Sequence, residues 1–163
     1  MTSPTNLSTL KTNIKFMDKH TVSINIDFDD IFNYVYAQSA WHCAHNEKER
    51  IITPDNRNML RLKLKEGYAD LRSRALGYLE SDNYNPNIDS CNITMTFAFR
   101  HKPQLGMGEA LHDTIVAALA HFLLMRFYGD KDSRGLEHGS SIFNLEWRRY
   151  MAKLMLTFAH DEL

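Results

Sequence analysis

The sequence predicts a mainly helical α+β fold, four helices with a small β element, on three observations. Most of its apolar residues recur at helical spacing. Two short stretches, near 21–28 and 91–100, instead alternate apolar and polar residues and read as strands. No composition shift, repeat or low-complexity block divides the 163 residues, so they read as a single domain, 1–163, with a polar N-terminal arm at about 1–13.

In order, Ile14 and Phe16 could form a short first strand, with Asp18-Lys19-His20 as its turn. Val22, Ile24, Ile26 and Phe28 then place one apolar face on a strand. Asp29 and Asp30 suit the positive end of a helix, and Ile31, Tyr34, Val35 and Trp41 carry that helix to about His45, with Gln38 interrupting its face. Thr53-Pro54 is the clearest start signal, a hydroxyl cap before a proline at the first helical position. Leu60, Leu64, Tyr68, Leu71, Ala75 and Tyr78 mark the face of a second helix ending near Leu79. Glu80 to Ser90 reads as a polar loop. Cys91, Ile93, Met95, Phe97 and Phe99 alternate with polar or small residues, ending before Pro103 and Gly106. A third helix from about Gly108 to Tyr128 is apolar on much of its circumference and therefore central. Beyond Gly129-Asp130-Lys131-Asp132, the residues Ile142, Leu145, Tyr150, Met151, Leu154, Met155 and Phe158 define a fourth.

The totals limit function. Hydrophobic residues make up 44% and charged residues 24%, an ordered globular balance, and a net charge of −1 gives no global pull toward nucleic acid or anionic lipid. Cys43 and Cys91 are too few and too far apart for a disulfide framework, which favours a reducing compartment. The opening MTSPTNLSTLKTN lacks an apolar core and cleavage pattern, so secretion is not expected. No apolar run approaches the ~18 residues of a membrane helix, and Ile115 to Met125 reads as a buried core helix. His160-Asp161-Glu162-Leu163 spells an ER-retention address, which acts only on a chain already in that compartment. It reads as a polar tail after a helix closed by Phe158.

Candidate chemistry is sparse. His42, Cys43 and His45 form the densest ligand cluster, but no second ligand group stands at zinc-site spacing, and histidines near a helix C-terminus are favoured by its dipole. Asp130 to Gly135 begins like a calcium loop, then places Arg134 among the ligands and Ser141 where a bidentate glutamate belongs. There is no nucleophile elbow and no phosphate loop, and Gly106-Met107-Gly108 reads as a turn and helix start. No metal, other cofactor or catalytic residue is expected, and the chain reads as a structural protein rather than an enzyme. Arg57, Arg61, Lys63, Lys65, Arg72 and Arg74 lie on the second helix, and Arg148 and Arg149 cluster beside Trp147. Of these, Arg57, Arg61, Lys63, Lys65, Arg148 and Arg149 are the candidate contacts to DNA or to neighbouring subunits. With few strands visible, the 91–100 strand must pair with the 21–28 strand, with a neighbouring subunit, or with both.

Several signatures occur in a set order: Ile26-Asp27-Phe28-Asp29-Asp30-Ile31, then Tyr34-Val35-Tyr36-Ala37-Gln38-Ser39-Ala40-Trp41, then Ile52-Thr53-Pro54-Asp55 with Met59-Leu60, a clear strand and two closing helices. From Ile24 to Phe158 this order resembles the neck proteins of tailed bacteriophages infecting Bacteroides-type bacteria, including the crAss-like phages. The resemblance implies a virion protein, present in the host cytoplasm during assembly. It would be a ring-forming head–tail connector, commonly twelvefold, stacked below the portal around the DNA channel. Its implied partners are further copies of itself, the portal, other neck or tail proteins and packaged DNA, with no membrane. The Trp41–His45 run lies outside the pattern. The alternatives are a cytoplasmic nucleic-acid-binding or regulatory module using Arg57, Arg61, Lys63 and Lys65, and a small metalloprotein or enzyme around His42, Cys43 and His45.

Overall fold

The computed structural model describes residues 20–46, 49–84, 91–129 and 137–162, with side chains in the last stretch from Ile142 onward. The expected N-terminal arm, the Ile14–Phe16 strand and the 130–135 loop lie outside the described residues. The elements are β1 (His20–Asp27), α1 (Phe28–His45), a 3-10 turn (Pro54–Asn56) running into α2 (Arg57–Arg74), β2 (Leu79–Asp82), β3 (Asn92–Phe99), α3 (Met107–Gly129) and α4 (Glu137–Asp161). The structure is a mainly helical α+β fold: four helices and a small antiparallel sheet ordered β1-β3-β2.

The two expected strands pair with each other. Ile24 stands opposite Met95 and Ile26 opposite Ile93, so the apolar alternations of both strands point to one side. Ile24, Ile26, Ile93, Met95, Phe97 and Phe99 are buried there. On the outer side the Ser23 and Thr96 hydroxyls hydrogen-bond at 2.8 Å. Phe28, expected at the end of β1, instead opens α1. Asp27 is the cap, its carboxylate accepting the Asp29 N–H at 3.0 Å, and Asp29 and Asp30 occupy the first turn.

The second helix departs from expectation. It ends at Arg74, and Ala75 to Tyr78 turn the chain so that Leu79–Asp82 lies along the free edge of β3 with a bulge between Leu79 and Ser81. Leu79-Glu80-Ser81-Asp82 has no apolar alternation. It is a strand because β3 offers an unpaired ladder and because Asp82 is anchored from α2, accepting from the Tyr68 hydroxyl at 2.5 Å and from Arg72 at 2.8 Å. At the helix start, the Asn56 side chain accepts the Thr53 N–H at 3.0 Å.

α3 is the hub, packed against α1, α2, α4 and β1. By length and composition it is long and apolar enough to cross a membrane, unlike the shorter run read from sequence, and most of it is buried inside this fold. α4 lies along it through Phe143, Trp147, Met151, Leu154 and Phe158, whose spacing of about four places them on one face. Ile142 and Leu145, which helped to define this helix in the sequence, project from the opposite side. Where α2 crosses α3, Gly67 lets the helices approach: a Cβ there would stand 2.6 Å from a ring carbon of Phe122. The end of α4 is no loose tail. Asp161 is buried and accepts backbone N–H groups from Arg100 at 2.8 Å and His101 at 2.9 Å, and Glu162 accepts from the Tyr78 hydroxyl.

Candidate interaction surfaces

The sequence points to two places, the His42–His45 run and the cations of α2 and α4. Along α1, one turn of helix separates His42 from His45, yet they have different fates. His42 turns inward, with Tyr128 and Phe143 rings at 4.8 and 5.0 Å. His45 is exposed, its Nδ1 2.9 Å from the Trp41 carbonyl and its ring 4.6 Å from the Trp41 ring. Cys43 is half-buried, its sulfur 3.5 Å from the Tyr128 hydroxyl. Their side chains therefore do not converge, and among the described residues no group of three His, Cys, Asp or Glu side chains is placed to hold a metal.

The inward side of this run is a polar node that sequence reasoning missed. Ser39 is fully buried, its Oγ 2.6 Å from the Tyr128 hydroxyl while accepting the Ile52 N–H at 2.7 Å. One hydroxyl thus ties α1 to α3 and to the segment leading into α2. Burial, with the Cys43 sulfur beside it, pushes the Tyr128 hydroxyl well above its ordinary value. Nearby, His121 of α3 donates from Nδ1 to the Ala117 carbonyl at 2.8 Å and stacks on Tyr150 at 5.3 Å, with Tyr34 edge-on at 5.5 Å. Burial lowers its pKa below the ordinary histidine value. Burial first, and then a hydrogen bond with Tyr150, raises the Tyr34 pKa to about 12. These groups are packed between helices in an arrangement that joins them. Its only sequence trace is a serine among apolar positions of α1.

The cations of α2 do not form one free row. Arg57 pairs with Asp29 at 2.6 Å and lies over the Phe32 ring at 5.4 Å. Arg72 pairs with Asp82, and Arg74 pairs with Asp70 at 3.3 Å while covering Trp147 at 6.0 Å. Arg61 and Lys63 also interact with other groups of the chain. Lys65 is half-buried and falls on the same flank as Arg57 and Arg61, at intervals of four. Arg148 and Arg149 are both exposed on α4, Arg149 bonded to Glu146 at 3.3 Å. The structure therefore leaves the two sets on separate helices, several members held by acids of their own chain.

A third surface comes from topology. β1 bonds to β3 along one side only, so among the described residues its other edge, eight residues long, has no partner strand. Beside that edge a shallow groove runs between Ser23–Asn25 and the start of α3, lined there by Gly108, Glu109, His112 and Asp113. His112 sits between Asp113, at 3.0 Å, and Asp30 of α1, at 3.9 Å, so the groove is mainly acidic. Compared with known proteins, the chain matches no family model, no curated protein and no solved structure.

Proposed function

We propose that this chain is a structural subunit of a larger assembly, a ring-forming head–tail connector of a tailed bacteriophage, seated below the portal around the DNA channel. The observation that carries the reading is the open edge of β1. An eight-residue strand whose outer row of N–H and C=O groups has no partner strand among the described residues is a template for a strand from another chain. Strand addition of this kind is directional and uses different surfaces on the two partners, which is what a closed ring requires. The ordered resemblance between Ile24 and Phe158 supplies the identity of the assembly. The ion pairs of Arg57, Arg72 and Arg74 favour a role in holding the subunit together over a continuous grip on phosphate.

Light scattering and electron microscopy on the purified chain test this. Closed rings, of about twelve subunits by the resemblance, are expected as concentration rises. A particle no larger than a dimer at roughly millimolar concentration, where even weak contacts are populated, overturns the reading. A salt-dependent shift of duplex DNA by that small particle, lost when Arg61 and Lys65 become alanine, establishes the nucleic-acid module instead.

A further inference from the structure

The outer face of α4 carries an apolar seam that, among the described residues, packs against nothing. Ile142, Leu145, Ala152, Leu156 and Ala159, with Arg149, are all exposed, Leu145 at 65% and Leu156 at 60%. Their intervals are three, four, three, four and three, the a/d spacing of a coiled coil over two and a half heptads. This seam lies directly opposite the face buried against α3.

The seam is self-complementary when reversed. Placed antiparallel about a twofold axis between positions 150 and 151, Ile142 meets Ala159 of the second copy, Leu145 meets Leu156, and Arg149 meets Ala152. Each large side chain then faces a small one, except at the Leu–Leu layers. Arg149 gains room over an alanine while staying near Glu146, which already bonds it at 3.3 Å. The flanking positions agree in charge, because Glu146 of each copy falls beside Lys153 of the other, giving two symmetric opposite-charge pairs. A parallel arrangement would instead put Arg149 against Arg149.

We propose that two copies of the chain pair through α4, antiparallel and in this register. A polar residue at a single a position selects orientation and register at some cost in strength. Two helices of this length bury on the order of 1,000 Å², near the low end for specific interfaces, so the pairing is weak, with Kd in the range of about 1–100 μM. The inference stands apart from the connector reading: a twofold seam closes on itself and builds no ring, and it uses a different surface from the β1 edge.

Site-specific crosslinking of the full chain tests it, with the exposed Cys91 first replaced by serine. Leu145→Cys and Leu156→Cys, both exposed substitutions that leave the core intact, are prepared separately and mixed under mild oxidation. The expected product is a disulfide between position 145 of one copy and 156 of the other, found only in the mixture. Absence of that product at 200 μM, roughly twice the weakest expected Kd, or equal self-crosslinking of either variant alone, overturns the register. Lys153→Glu should weaken the dimer about tenfold by turning two attractive pairs repulsive, and Glu146→Lys with Lys153→Glu should restore it. A double variant no tighter than the single one removes the charge pairing and the proposal with it. Rings without the 145–156 link leave the connector reading standing alone; linked dimers that never grow leave the seam standing alone.

Discussion

Ser39 satisfies two groups from elsewhere in the fold, the Ile52 N–H and the Tyr128 hydroxyl. Ser39→Ala would leave both buried without that partner, and we expect a loss of about 2–3 kcal/mol in urea unfolding. Tyr128→Phe keeps the Ser39–Ile52 bond and should cost about 1 kcal/mol. Equal, negligible losses would show that water satisfies the node. At His121, burial lowers the pKa, outweighing the Ala117 carbonyl and Glu146, which pull the other way. Above the ordinary value of about 6.5 the ring is neutral in folded and unfolded chains alike. As pH falls below that value, the unfolded chain takes up a proton that the folded one refuses, so stability falls until the lowered folded pKa is passed. Denaturation midpoints at pH 7.5 and 5.5 should diverge in the parent and converge in His121→Gln.

Two element-level contacts have consequences that intrinsic propensity would misjudge. Alanine in place of a helical glycine ordinarily stabilises by about 1 kcal/mol. At position 67 the new methyl would stand 2.6 Å from the buried Phe122 ring, and overpacking of that kind costs about 1–3 kcal/mol. Gly67→Ala should therefore give no gain, and a lowered Tm in calorimetry is the expected result. A raised Tm would mean that α2 and α3 separate without penalty. At the end of α4, burial would raise the Asp161 carboxyl, but the Arg100 and His101 N–H groups and the His101 side chain outweigh it and hold the pKa below the ordinary value. The stabilisation is present above the ordinary carboxyl range and is lost as pH falls through the lowered value. Asp161→Ala should cost about 1–3 kcal/mol at pH 7 and progressively less in strong acid.

Across the whole molecule, residues from every helix and from β1 and β3 join one hydrophobic cluster, with β1 held to β3 from far along the chain. A core shared in this way predicts cooperative loss of the α4 packing and of the helices as a set. Trp147 is buried in that core whereas Trp41 is 64% exposed, so the change in tryptophan fluorescence reports mainly α4. Its unfolding curve should coincide with far-ultraviolet circular dichroism. Two separated transitions would divide the chain into independently folding parts.

The strands 20–27 and 92–99, the start of α2 and the central α3 were legible because each carries a local signal: alternation, a Thr-Pro start, or an apolar circumference. Their mutual placement follows from little more than the need to cover apolar faces. β2 was not legible, since its four residues alternate nothing and pair only because β3 has an edge to fill and α2 supplies Tyr68 and Arg72 to hold Asp82. The fates of His42 and His45 were equally hidden, because three residues on a helix can share a face yet still fall on either side of its boundary with the core. Ile142 and Leu145 show the same limit on α4. Being apolar made them candidates for the core, but α3 occupies the face 180° away, and only that packing decided that they remain outside. By itself the sequence determined the four helices and the two long strands, because those are local periodicity and capping, but not β2. Which apolar residues are spent on the core and which are left outside it is a property of how the elements meet, and the tertiary structure alone decided it.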